Sequence, residues 1–206
     1  LANVDVMNGG RGLTEMVSID STNVVLEDST FSNSIGTTRA IYIVTQNLAP
    51  TLRNLVIRNS IGYAVAQGSA NMAPIYDNLL MEGNTVNGVY LNTSTGVNYD
   101  LTLNIDELNG GTYYAGSITL LTAKTITITP GTELRMVSGA TLGINAGARL
   151  HMVGTPERWV TVRPEKDSPT VNDYWATIDI RTGAAARFQY CDLSGGGKSG
   201  AVVMRI

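Results

Sequence analysis

The chain has 206 residues, 14 basic and 17 acidic, for a net charge of −3. Charged residues make up only 15%, against a usual share of about 25%, and no Lys/Arg cluster supplies the basic stripe that nucleic acid requires. No apolar run approaches the roughly 20 residues of a membrane-spanning helix, and the single cysteine, Cys191, excludes an intrachain disulfide.

Thr, Asn, Ser and Gly fill the place of the missing charge, and these suit turns and solvated strand faces better than helix surfaces. In chain order, the first half carries a recurring phrase: "NVVLEDS" (23–29), "NLVIRNS" (54–60) and "NLLMEGN" (78–84). Each reads as Asn, three apolar residues, two variable ones, then Ser or Asn. Short strands are expected after each, at "AIYI" (40–43), "YAVA" (63–66) and "GVYL" (88–91). The run from Asp100 to Leu103 is expected to open the next lap. If Asn23, Asn54 and Asn78 stack at one corner, their amides can bond between laps and satisfy backbone groups.

The second half uses a shorter form. Triplets starting at Ile118, Ile126, Leu134, Leu142 and Leu150 advance by eight residues each, and Val160-Thr-Val162 follows two residues late. Each alternates in, out, in, with the strand period. Three residues of strand and about five of turn are too short for hairpin arms, so they predict a coil of parallel strands. Three steps of eight match the 24-residue lag between Asn54 and Asn78, which makes the coil three-faced, with laps of 22–24 residues. In that register Ile126 stacks on Leu150 and Thr127 lies beside His151. A rival register of 16 residues would flatten the coil and set Glu133 over Arg149. The stretch 162–175, with two prolines and mixed charge, reads as a loop thrown out between laps. No amphipathic helix is expected, since "TEMVSI" and "AVAQGSANMA" are too short or too interrupted. The expected organisation is one solenoid over 1–206, with longer-turn laps in 1–110 and compact laps in 111–206. The chain opens on Leu1 and stops on the strand-like "AVVMRI", as a fragment of a longer chain would.

At these residues the chain resembles the right-handed parallel β-helix, the pectin-lyase-like superfamily. The 23–91 region resembles the β-helix repeats of secreted bacterial proteins. The 117–197 region, with "TITITPGTELRM", "GARLHMVGTPERWVTVRP", "WATIDI" and "ARFQYCDLSGGG", is similar to a passage of large bacterial surface proteins. Such a fold hosts lyases, hydrolases, adhesins and tailspikes alike, so it does not carry function.

Enzymes of that superfamily imply catalytic elements that do not occur here: Asn-Thr-Asp, paired Asp-Asp, Gly-His-Gly and Arg-Ile-Lys. Glu27 with Asp28, and Asp106 with Glu107, are sequence neighbours expected on opposite faces of extended chain. Arg58 is expected to point outward with no Asp cluster around it, and Asp77 and Asp100 lie about a lap apart. His151 is expected outside, without metal-ligand company. Cys191 is expected to face the core beside Leu193. "DLSGGGKSG" lacks the Gly-x4-Gly-Lys-Ser/Thr spacing of a phosphate loop and reads as a turn. "NTS" at 92–94 matches a glycosylation acceptor. Outward Thr119, Thr127 and Thr161 suggest an ice-binding array, which Arg135 and His151 interrupt. No catalytic, cofactor or metal residue is therefore assigned. The expected role is a non-catalytic structural or adhesive segment, extracellular or on a cell surface, facing polysaccharide or other surface proteins. The alternatives are a lyase or hydrolase of acidic glycans and an end-to-end self-assembling subunit.

Overall fold

The computed structural model describes residues 1–206 apart from Leu13, Thr22, Gly36, Thr37, Thr45, Gln46, Ala70, Thr93, Ser94, Thr95, Ala201 and Ile206. The fold is nearly all β, with parallel strands stacked as a β-solenoid. The first strands are β1 (Asp5–Met7), β2 (Val17–Ile19), β3 (Val25–Ser32), β4 (Arg39–Ile43), β5 (Thr51–Arg58), β6 (Tyr63–Gln67), β7 (Ile75–Asp77), β8 (Leu79–Glu82) and β9 (Val86–Leu91). Next come β10 (Leu101–Leu103), β11 (Leu108–Asn109), β12 (Thr112–Ala115), β13 (Ile118–Leu120), β14 (Thr125–Ile128), β15 (Glu133–Met136) and β16 (Thr141–Ile144). The last are β17 (Arg149–Val153), β18 (Val160–Pro164), β19 (Thr177–Ile180), β20 (Ala185–Gln189), β21 (Cys191–Leu193) and β22 (Met204–Arg205). They fall into two compact units, one of Leu1–Leu91 with Asp106–Thr112 and one of Asn92–Ile105 with Tyr113–Ile206.

In the second unit the chain visits three sheets in strict rotation. One holds β13-β16-β19-β22, the next β10-β14-β17-β20, and the third aligns β12-β15-β18-β21. The 24-residue register holds: Ile126 pairs with Leu150 and Thr127 with His151, while Ile118 pairs with Leu142. The 16-residue rival is overturned, because Glu133 pairs with Thr161 and Arg149 with Thr125 and Ala185. The inner residues of all six expected triplets are buried. Each forms a column with its counterparts, such as Leu134 on Val162 and Ile128 on Met152. Full burial of one such side chain stabilises by about 1.5–3 kcal/mol.

Corners set the lap length. At the corner before β14, β17 and β20 stand Ala123 (φ 60°), Gly147 (φ 77°) and Gly183 (φ 82°). All three are left-handed, where a Cβ costs roughly 1–2 kcal/mol. Ala123 alone bears that cost, so Ala123→Gly is expected to stabilise the chain by about 1 kcal/mol after the entropy of glycine is subtracted. The urea midpoint followed by circular dichroism measures it.

The first unit is built on longer laps. Strands β2-β4-β6-β9 align with Val17, Ile41, Val65 and Val89 in one inward column. The second row runs β1-β3-β5-β8-β11, with β7 also on β5. Both β3 and β5 bend within their length, at Asp28 (φ 49°) and Asn54 (φ 51°), and Asn78 (φ 52°) separates β7 from β8. Each lap therefore presents three flat segments. Short polar side chains suit this left-handed bend because they bond locally.

The pairing corrects two expectations. Val25 pairs with Thr51 and Ser29 with Leu55, so Asp28, not Asn23, stacks with Asn54. The aligned phrase is "DSTFSNS" (28–34), shifted five residues from the one read above, since a carboxylate serves this corner as well as an amide. Leu101–Leu103 does not continue the row of Asn78, either. It pairs with β14, Leu101 opposite Ile126, whereas the partner of Leu79 is Leu108.

Candidate functional site

Outward polar residues of the first unit bond lap to lap. Asn54 Nδ2 donates to Asp28 Oδ1 at 2.9 Å, and Asn78 Nδ2 donates to Asn54 Oδ1 at 3.1 Å. Beside this ladder runs a charged column, with Glu27, Arg53 and Asp77 at one register position and Arg53 bonded to Glu27 at 2.5 Å. Glu27 and Asp28 were expected on opposite faces. The left-handed bend at Asp28 breaks the alternation, and neither carboxylate enters the core. A buried polar ladder lies nearby: Ser60 N donates to Asn84 Oδ1 at 3.0 Å and Asn84 Nδ2 to the Ile57 carbonyl at 2.8 Å. Replacing Asn54 by Ala removes both amide bonds and places a Cβ at positive φ. The expected loss is about 2 kcal/mol, whereas Asn54→Gly, which keeps the backbone unstrained, loses about half as much. Denaturant unfolding of the two variants checks the difference.

The other expected acids are dispersed. Arg58 sits between Ser32 and Glu82 in register. Asp100 Oδ1 accepts from Thr125 N at 2.8 Å and lies in the second unit, while Asp77 lies in the first. Asp106 and Glu107 occupy a one-turn 3₁₀ segment, Ile105–Glu107, where strand alternation does not apply.

The densest cluster of charge is one that sequence spacing did not reveal. On the outer face of β15 and β18, Glu133 holds Arg135 at 2.5 Å and Arg163 at 2.8 Å. Arg135 also reaches Asp167 at 2.6 Å and the Glu165 carbonyl at 3.1 Å, with its guanidinium 5.8 Å from the Tyr114 ring centre. Burial opposes the charge on Arg135, but its bonds to Glu133 and Asp167 outweigh that and keep it protonated. Burial pushes the Tyr114 hydroxyl upward. Asp167 belongs to the expected loop, which begins at 165 instead of 162 because β18 continues through Pro164. Lys166 and Asp173 close that loop at 2.6 Å. The Lys166 ammonium, then the Thr170 amide and hydroxyl, lower the Asp173 carboxyl to about 2. Since the folded value lies below the usual carboxylate value of about 3.9, the clasp contributes fully above that pH and is lost as pH falls through about 2. A carbon-detected NMR titration of Asp173 is expected to show this low midpoint; an ordinary one would remove the clasp from the account.

One nucleophile meets one amine. Lys198 Nζ bonds Ser138 Oγ, and Ser138 in turn donates to the Asn172 carbonyl at 2.6 Å. A serine activated by a lysine would donate to a neutral amine. Here the serine proton is directed at a carbonyl and the contact acts as a clip between turns. Asp179, on β19, is held between Arg205 at 2.8 Å and Arg181 at 3.3 Å, and the Arg205 bond is the main cause of its lowered pKa. The carboxylate and two guanidinium groups line a shallow depression with Ile180 and Thr182.

His151 is half-buried on the outer side of β17, in register with Thr127 and Arg187. Cys191 and Leu193 share the more covered side of β21. The thiol lies 3.0 Å from the Met152 carbonyl, and burial raises its pKa, so it is not an activated thiolate. Thr119, Thr127 and Thr161 stand on β13, β14 and β18, three different sheets, and no flat array forms. The "DLSGGGKSG" run is a turn with positive φ at Gly195 and Gly197. Thr93 and Ser94 of the glycosylation motif lie outside the described residues. Among the described residues, no helix is long and apolar enough to cross a membrane. No protein-family model, curated protein or solved structure matches this chain.

Proposed function

We propose that this chain is a non-catalytic structural or adhesive segment of a secreted or surface-displayed β-helix protein, meeting polysaccharide or other surface proteins. One observation carries the reading. The outward carboxylates Glu27, Asp28, Glu133 and Asp179 each hold a cationic or amide group one lap away. Glycoside hydrolysis needs a pair of carboxyl groups flanking the scissile bond, whereas these groups serve lap-to-lap cohesion. Solenoid stability is a sum over neighbouring laps, so side chains that bond between laps are what a scaffold requires. The resemblance of 117–197 to surface-protein passages supports the same reading and its location. The test is incubation with a panel of uronate and neutral polysaccharides, with assays for unsaturated products and new reducing ends. No turnover is expected, and sustained product release would replace this reading with that of a lyase or hydrolase.

A further inference from the structure

Three Asn-Gly pairs occur in the chain, at Asn8-Gly9, Asn87-Gly88 and Asn109-Gly110. They are the sequences most open to attack of a backbone amide on the preceding side chain, because glycine places no Cβ in the path. The fold treats the three differently. Asn87 is clamped: its Oδ1 accepts from Asn84 N at 3.1 Å and Asn84 Nδ2 at 2.9 Å, and Gly88 is buried within β9. Asn8 is fixed in the left-handed region (φ 57°). Its amide donates to the Ser32 carbonyl at 3.1 Å, and Ile35 N bonds the Gly9 carbonyl at 3.0 Å. Rotating it toward attack geometry would dismantle a corner.

Asn109 differs on each count. Both it and Gly110 are exposed. Asn109 has extended backbone in β11, whose pairing with β8 is only two residues long. Gly110 turns away immediately at φ 77°. Short terminal pairing of this kind opens at low free-energy cost.

We propose that Asn109 is a site of spontaneous deamidation and isomerisation. The Gly110 nitrogen bonds to Asn109 Cγ as the Cγ–Nδ2 bond breaks. The side-chain nitrogen leaves as ammonia, taking up the proton given up by the Gly110 amide. Water then opens the resulting cyclic imide at either carbonyl, giving isoaspartate or aspartate. The product carries one more negative charge than the parent chain of −3. Its iso form inserts a methylene into the backbone at the end of the β8–β11 pair.

The experiment ages the full chain in mildly alkaline buffer and follows tryptic peptides by mass spectrometry and anion exchange. The peptide bearing Asn109 gains about 1 Da and splits into two isomers. Asn87 converts at least about tenfold more slowly, because it must wait for β9 to open. Asn109→Gln abolishes the charge variant and leaves the circular dichroism spectrum unchanged. Gly110→Ala is a poor control, since a Cβ there would lie 2.8 Å from the Met81 carbonyl oxygen. An Asn109 that survives while an unstructured peptide of the same sequence converts, or an Asn87 that reacts as fast, overturns the proposal.

Discussion

Gly62→Ala is expected to be the most damaging single-methyl change in the first unit, lowering stability by about 3–5 kcal/mol. Two effects add. Gly62 sits at φ 82°, and an added Cβ would lie 2.0 Å from the Thr38 carbonyl oxygen and 2.2 Å from its carbon. That oxygen cannot retreat, because it accepts the hydrogen bond of Tyr63 N at 2.9 Å and so is part of the lap-to-lap ladder. Relief of the clash must lift the lap that begins β6 off the lap that begins β4. The consequence is local before it is global: amide hydrogen exchange should accelerate first at Tyr63 and its neighbours on β6. Gly12 provides the contrast, since no atom lies within 4 Å of its built Cβ. Gly12→Ala has only the strain of φ 75°, about 1–2 kcal/mol. A Gly62→Ala protein with the same urea midpoint as Gly12→Ala would contradict the tight corner described for this lap.

Trp175→Ala should cost the second unit about 3–5 kcal/mol. Trp175 is fully buried although it closes the loop that leaves β18. Its Nε1 donates to the Ser194 carbonyl at 2.8 Å, and its backbone bonds Gly195 and Lys198. Gly196 packs so closely on the indole that a Cβ there would meet Cζ2 at 2.7 Å. Removing the ring opens a cavity and unpins the 194–198 turn together. Trp159, half-exposed and in edge contact with Tyr190 at 6.0 Å, is the control. Trp159→Ala should stay nearer 1 kcal/mol, as a partly exposed aromatic loses less burial. Circular dichroism in urea ranks the two variants, and the reverse order would show that the loop is not anchored through Trp175.

What could be read in advance followed periodicity. The eight-residue step from Ile118 to Leu150 fixes which residues face inward, and the 24-residue lag fixes the Thr127–His151 pairing, because a parallel coil repeats its own register. Alignment by residue identity was less dependable than alignment by conformation. Asn23 matches Asn54 by letter, but the corner selects any short polar side chain that tolerates positive φ, and Asp28 occupies it. Lengthened laps also hid their partners: Leu108 pairs with Leu79 across 29 residues, beyond the expected range. The outer-face cluster was unreadable for a different reason. Arg135 meets Asp167, and Ser138 meets Lys198 60 residues away, through a loop whose path no repeat dictates. The absence of an assigned catalytic residue in the sequence reading remains an expectation that the polysaccharide assay addresses.

The most direct measurement of the central claim, that laps of 24 residues stack in parallel, is disulfide trapping in a Cys191→Ser background. Parallel neighbours lie about 4.8 Å apart, within the roughly 4.4–6.8 Å Cα range a disulfide accepts. The paired substitutions Thr127→Cys and His151→Cys should crosslink readily on mild oxidation of the folded chain, given their direct register. Glu133→Cys with Arg149→Cys should stay reduced. Efficient crosslinking of the second pair, with none in the first, would contradict the account.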